Sequence, residues 1–168
     1  MRLSDLPEGT RVFIDANIFI YHFSASSRFN SSCTDFLERV EFGAVHGVTS
    51  AAIVQETIHR IMVEEAFLAL PDIQPKNLIK YLKDHPDTVK GLEVNRGIPA
   101  RIAQLNVEVI PTTLALIDQS QAIKTEYGFL SNDALILQTM RDRGLLHLAS
   151  NDSDFERATN ITLYKPDI

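Results

Sequence analysis

The amino-acid sequence predicts an α/β fold: a three-layer sandwich with a central parallel sheet of four to five strands flanked by helices, and an inserted helical segment at about 71–104. Three observations predict it. Short apolar runs such as Val12-Phe13-Ile14 and Leu145 to Ala149 have strand length and sit beside turn-forming residues, the pattern of strands buried on both faces. Longer segments between them carry apolar residues at helical spacing. The two kinds alternate along the chain, as a parallel sheet requires, because each parallel strand needs a crossover connection.

Taken in order, residues 11–14 form the first strand, bounded upstream by Pro7-Glu8-Gly9. A short helix over 17–23 follows. A longer one over 30–42 has Cys33, Phe36, Leu37 and Val40 on one face and ends at Gly43. Residues 46–49 make the second strand, and Ser50 is placed to cap a helix from about Ala51 to Leu70 that Pro71 stops. The segment 75–104 is helical but punctuated, with Pro75 at a first turn, breaks at Pro86 and Gly91, and Gly97-Ile98-Pro99 before the next helix. Residues 107–110 give a third strand, ended by Pro111, and 112–124 a helix. Ser131 or Asn132 is expected to cap a helix from Asp133 to about Arg143, closed by Gly144. Residues 145–149 form the fourth strand and 161–164 a short fifth.

The composition is that of one packed domain over 1–168: 45% of residues are hydrophobic and 23% charged, which excludes a disordered tail. No apolar run approaches the roughly 20 residues that span a bilayer. The N-terminal residues also lack the apolar stretch of a signal peptide, so no membrane partner is expected and the expected location is cytoplasmic. The single cysteine, Cys33, has no partner for a disulfide and reads as a half-buried helix residue. The net charge of −6 argues against indiscriminate nucleic-acid binding. It is compatible with a metal-dependent nuclease, in which carboxylates hold cations that reverse the local sign.

Ligands of open α/β sheets bind beyond the carboxyl ends of the strands, so acids placed there carry weight. Asp15 directly follows the first strand, and Asp152 closely follows the fourth. Asp133 opens a helix, and Glu56 lies in the second turn of the helix leaving the second strand. Each has an ordinary alternative. Asp133 alone reads as a helix-start acid, Glu56 as a solvated helix residue, and Asp152 with Asp154 as a polar turn. Asp15 is harder to dismiss, because a carboxylate straight after a buried strand is desolvated unless something positive compensates it.

The sequence resembles the PIN-domain family at four places in the family's order. Val12-Phe13-Ile14-Asp15-Ala16-Asn17 is similar to its opening strand with Asp-x-Asn, and Ser50 to Glu56 to its small-residue-then-glutamate helix start. Asn132-Asp133-Ala134-Leu135-Ile136 is similar to its central Asp-Ala helix, and Ala149-Ser150-Asn151-Asp152-Ser153-Asp154-Phe155 to its terminal acidic segment. Within the family the chain most resembles VapC-type ribonuclease toxins of toxin-antitoxin pairs. The resemblance covers nearly all of the chain except 71–104, a helical middle longer than in family members of minimal size.

The resemblance implies a metal-dependent endoribonuclease. Asp15, Glu56, Asp133 and Asp152 would be the catalytic, metal-binding set, with Asp154 as an auxiliary metal-binding acid and Asn17 and Ser150 as supporting polar residues. It also implies a homodimer and a small antitoxin partner. An oxygen-only ligand set suits Mg²⁺ or Mn²⁺ and disfavours zinc. Residues 76–101 hold six basic residues against three acidic ones. Lys76, Lys80 and Lys83 share one helix face, with Leu78, Ile79 and Leu82 on another, so the lysines are candidates for RNA contact or simply a solvated face. Two rival readings stand: a PIN-like binding or regulatory protein without catalysis, and a metal-dependent phosphoesterase acting on another substrate. A nucleotide-binding dehydrogenase or P-loop enzyme is excluded, since no Gly-rich phosphate loop is present.

Overall fold

The computed structural model describes residues 1–168. Five strands, β1 (Arg11–Ile14), β2 (His46–Ser50), β3 (Glu108–Ile110), β4 (His147–Ala149) and β5 (Thr162–Tyr164), form one sheet in the order β3-β2-β1-β4-β5. Every pairing is parallel, so each connection crosses over and carries helix, which gives the expected helix-flanked sheet. Helices α1 (Ala16–Phe23), α2 (Asn30–Glu41) and α3 (Ala51–Ala69) occupy the first half. After α4 (Pro75–Asp84), α5 (Pro86–Gly91) and α6 (Ile98–Gln104), helices α7 (Leu114–Tyr127) and α8 (Ser131–Asp142) pack against each other.

The chain winds outward from β1 through β2 to β3, then returns to the other side of β1 for β4 and β5. The order therefore reverses between β1 and β4, and a doubly wound sheet opens its ligand crevice at such a point. The register pairs Ile14 with Ala149, so the residues leaving these strands, Asp15 and Ser150, emerge side by side.

Burial explains why these segments became strands. Val12, Phe13, Ile14, Leu148 and Ala149 are fully enclosed in a continuous core that also takes Phe19, Phe36, Ile123 and Met140. Each large aliphatic or aromatic side chain in that core contributes about 1.5–3 kcal/mol by leaving water. Cys33 lies wholly inside this core, deeper than its half-buried reading, and burial pushes its thiol up to about 12. Gly47 is required by contact: a Cβ there would lie 2.6 Å from Val40 Cγ1 and 2.8 Å from Ile14 Cδ1. Gly144 ends α8 with φ of 62°, the left-handed conformation glycine adopts without strain.

A second, smaller cluster joins Ala66 of α3 to Leu78 and Leu82 of α4 and to Leu92. The helical middle is thus divided, because Ile98 and Ile102 of α6 belong to the main core. On α4 the apolar face is Leu78 and Leu82, whereas Ile79, expected beside them, is exposed. The expected cap of α8 also differs. Leu130 holds the cap position without a side-chain bond, and Ser131 and Asn132 fall inside the first turn. Their side chains turn to neighbours instead: Ser131 Oγ accepts from Lys124 Nζ, and Asn132 Nδ2 donates to Glu56 Oε2. At the N-terminus a 3₁₀ turn over Leu3–Asp5 and a bridge from Arg2 to Lys165 extend the β5 side of the molecule.

Candidate metal centre

Asp15 leaves β1 and caps α1. Its Oδ1 accepts from the Ala16 amide at 2.6 Å, while Oδ2 accepts from Asn17 Nδ2 at 2.5 Å and Ser150 Oγ at 2.6 Å. Only 8% of the residue is exposed. Ser150 is buried where β4 ends, and its hydroxyl also takes bonds from Asn17 Nδ2 and the Asp152 amide. Asn17 in turn accepts from the Asn151 amide through its Oδ1. These bonds tie the ends of β1 and β4 into one network and hold Asp15 in place.

The remaining acids arrive on three other segments. Glu56 comes from the second turn of α3 and is held across the cleft by Asn132. Asp133 lies in the first turn of α8, where the helix dipole favours negative charge. Asp152 caps a 3₁₀ turn over Ser153–Arg157, its Oδ1 accepting from the Asp154 amide at 2.8 Å. That turn is anchored by Phe155, which is buried and stacks on Phe129 with ring centroids 5.6 Å apart. Asp154 pairs with Arg157 at 3.2 Å.

All five acids line one open cleft of about 450 Å³, together with Asn17, Ile20, Arg60, Leu130, Ser131, Asn132 and Ile136. The three lysines of α4 do not line it. They project from the part of the fold packed on the far half of α3, and Ala66, which α4 covers, lies about 15 Å along the helix axis from Glu56. Sequence reading missed Arg60, one turn beyond Glu56 on the same helix. The i, i+4 spacing of Glu56 and Arg60 was the available signal. It also missed Asn132 as the partner of Glu56, because their contact joins positions 76 residues apart.

The acids feel one another. Burial raises the Asp15 carboxyl to about 6; its bonds from Ser150 and Ala16 oppose that rise, and the charges of Glu56 and Asp133 add to it. Asp133 is likewise raised, first by burial and then by repulsion from Asp152, Asp154 and Glu56. Repulsion of this kind is relieved by protonation or by a cation. No three of the carboxylates stand within shared reach of one ion. Four of them already hold partners: Asp15 bonds Ser150 and Asn17, Glu56 bonds Asn132, Asp152 bonds an amide, and Asp154 pairs with Arg157. The donor set itself fits a hard divalent cation, being all oxygen with no histidine or cysteine in the cleft.

Two ribonucleases and two solved structures are similar to this chain. Ribonuclease VapC2 of Methanocaldococcus jannaschii is 25% identical over 154 residues, covering 89% of this chain and 90% of its own length. Ribonuclease VapC6 of the same organism is 22% identical over 156 residues, with 93% and 97% covered. Among solved structures, VapC20 of Mycobacterium tuberculosis, a sarcin-ricin-loop-cleaving toxin, superposes with a TM-score of 0.61 at 16% identity, covering 89% of this chain and 96% of that one. VapBC2 of Rickettsia felis, bound to a DNA fragment from its promoter, gives 0.56 at 15% identity, with 94% and 100% covered. These two share the fold. The PIN domain model matches residues 12–161, a span running from β1 nearly to β5 and containing every acid of the cleft, and the chain belongs to the PIN domain family.

Proposed function

We propose that this chain is a metal-dependent endoribonuclease of the VapC type, hydrolysing RNA phosphodiester bonds in the acid cleft. The observation that carries the reading is the convergence of five carboxylates from four segments on one crevice, at the point where the strand order reverses, with the most buried of them repelled by its neighbours. Its substrate class is supported by the names of the two archaeal relatives, both ribonucleases.

Asp15, Glu56, Asp133 and Asp152 would hold Mg²⁺ or Mn²⁺, with Asp154 as an auxiliary acid. Bound there, the ion supplies Lewis acidity at the scissile phosphate and acidifies the attacking water. The chain's own part is positioning. Ser150 and Asn17 hold Asp15 Oδ2 while the Ala16 amide holds Oδ1, Asn132 restrains Glu56, and Phe155 fixes the turn that presents Asp152. Substrate enters an open cleft, so the site suits a strand that passes through it.

The partners in this reading are a second copy of the chain and a small antitoxin. The lysines at 76, 80 and 83 would act at a distance, drawing RNA toward the cleft by charge alone. The rival readings are a PIN-like binding or regulatory protein without catalysis and a metal-dependent phosphoesterase acting on another substrate. Purified protein incubated with RNA, DNA or a chromogenic phosphate ester, each with Mg²⁺, Mn²⁺ or EDTA, separates the readings. RNA cleavage that requires the metal is expected, and Asp133→Asn should reduce it on the order of a thousandfold. Metal-dependent cleavage left intact in a folded Asp133→Asn protein would remove the assignment.

A further inference from the structure

Sixteen lysines and arginines are distributed over the chain, and most are engaged. Arg2, Arg11, Lys90, Arg141, Arg143, Arg157 and Lys165 form ion pairs. Arg39 and Arg96 bond backbone carbonyls, Lys124 bonds Ser131, and Arg28 and Arg101 lie over the rings of Phe29 and Phe23. Arg60, Lys76, Lys80 and Lys83 have no such partner. Of these four, Arg60 alone lines the acid cleft.

Its freedom is unexpected on local grounds. A Glu four residues before an Arg on a helix is the favoured orientation for a side-chain pair, yet Glu56 and Arg60 do not bridge, and Glu56 is taken by Asn132 from α8. An unpaired guanidinium is thus left at the rim of a crevice whose other charged groups are all carboxylates. A cation bound among those acids would neutralise the phosphate undergoing reaction, but the flanking phosphates of the same strand would still meet net negative charge. Arg60 stands about 6 Å along the α3 axis from Glu56, the order of one nucleotide step. Its planar fork matches two phosphate oxygens at once.

We propose that Arg60 is a positioning residue of the cleft, clamping the RNA phosphate next to the scissile one on the α3 side. This rests on the ribonuclease reading given above. Arg60 would set where the strand lies over the acids without touching the reacting phosphorus. Selectivity for a polyanionic strand over a small phosphate ester follows, because a monoester has no second phosphate to offer.

The test uses the full chain as wild type, Arg60→Ala and Arg60→Lys, with a 5′-fluorescent single-stranded RNA. Binding is followed by anisotropy in Ca²⁺ across a KCl series, and cleavage in Mn²⁺ by steady-state kinetics. Circular dichroism confirms that the exposed substitution leaves the fold intact. For Arg60→Ala the Kd should rise about tenfold, and the slope of log affinity against log salt should flatten by about 0.7, the loss of one phosphate contact on a single strand. KM should rise with kcat nearly unchanged. Arg60→Lys should restore the salt slope while recovering only part of the affinity, because lysine lacks the fork. An unchanged Kd and slope in Arg60→Ala overturns the proposal, and so does a fall in kcat with KM and Kd intact. Wild-type protein that neither binds nor cleaves RNA overturns the ribonuclease reading, and this inference with it.

Discussion

Two of the three glutamates on helix α3, Glu56 and Glu65, lie nine residues apart in opposite surroundings. Glu56 faces the cleft, where its charge helps to raise the carboxyls of Asp15 and Asp133. Glu65 sits under the chain between α5 and α6, and it accepts the amides of Glu93, Val94 and Asn95 and the Asn95 side chain at 2.6 to 3.3 Å. Burial alone would raise Glu65, but the donors from Asn95, Val94 and Glu93 outweigh it and hold the carboxyl below its ordinary value. The difference separates structural from functional carboxylates. Where an acid serves the fold, the chain surrounds it with N–H donors. At the end of β1 the donors from Ala16, Asn17 and Ser150 do not outweigh burial and the nearby charges of Glu56 and Asp133, so the Asp15 carboxyl rises, an arrangement that suits a cation supplied from outside.

The opposed directions make pH the sharpest probe of the contrast. Asp15 is raised from 3.8 to about 6 in the folded protein, so folding favours its protonated form. Its contribution is fully present below about pH 3.8 and is lost as pH rises through 6. A rise of that size on a nearly fully buried group corresponds to at most about 3 kcal/mol. Metal-free protein in EDTA should therefore gain on the order of 1 kcal/mol between pH 8 and pH 5, read by urea unfolding at each pH. Glu65 has the opposite sign: its stabilisation is present above the unfolded value of 4.5 and fades as pH falls through the lower folded value. A saturating divalent ion should abolish the gain between pH 8 and 5, since ligands must be ionised. The same gain with and without the ion would break the comparison.

Glu65→Ala tests the other half. It leaves three amides without their acceptor in a partly solvated place, for about 1 kcal/mol of stability. Amide exchange should quicken at residues 93–95 while β1 and β4 keep their protection. Uniform destabilisation would mean that the Glu65 contacts are not local. The smallest effect is expected at Lys76, Lys80 and Lys83. Reversing all three charges should weaken RNA association a few-fold at low salt and hardly at all near 0.15 M, because exposed charges beyond roughly 8 Å are screened there. An effect that persists at that salt would place the lysines in direct contact.

Much of the architecture was legible because it follows from short-range rules. Apolar runs beside turn residues located all five strands, and Ser50 caps α3 as its position suggests, accepting from the Ile53 amide. The acids were legible for the same reason: each sits at a strand end or helix start. Strand order was not, since nothing local in β4 says that it pairs with β1, and hence the bond from Ser150 to Asp15 across 135 positions was out of reach. Ser131 and Asn132 looked like caps because their side chains can cap. Tertiary partners in Lys124 and Glu56 claimed them instead. Ile79 fits the apolar spacing of α4, but the small cluster around Ala66 takes Leu78 and Leu82 and leaves Ile79 exposed. Ile18 and Phe19 went to the core, and Ile20 lines the cleft.

Binding of the ion itself bears most directly on the cleft. Thermal unfolding of wild-type and Asp133→Asn protein, followed at pH 7.5 over a Mn²⁺ titration from EDTA upward, measures it without any substrate. If the acids form a cation site, the wild-type Tm rises saturably with Mn²⁺ as binding to the folded state requires. The variant, relieved of one repelling charge, should start higher in EDTA and respond weakly to the ion. Equal Mn²⁺ responses in the two proteins, or none in either, would contradict a divalent-cation site in this cleft.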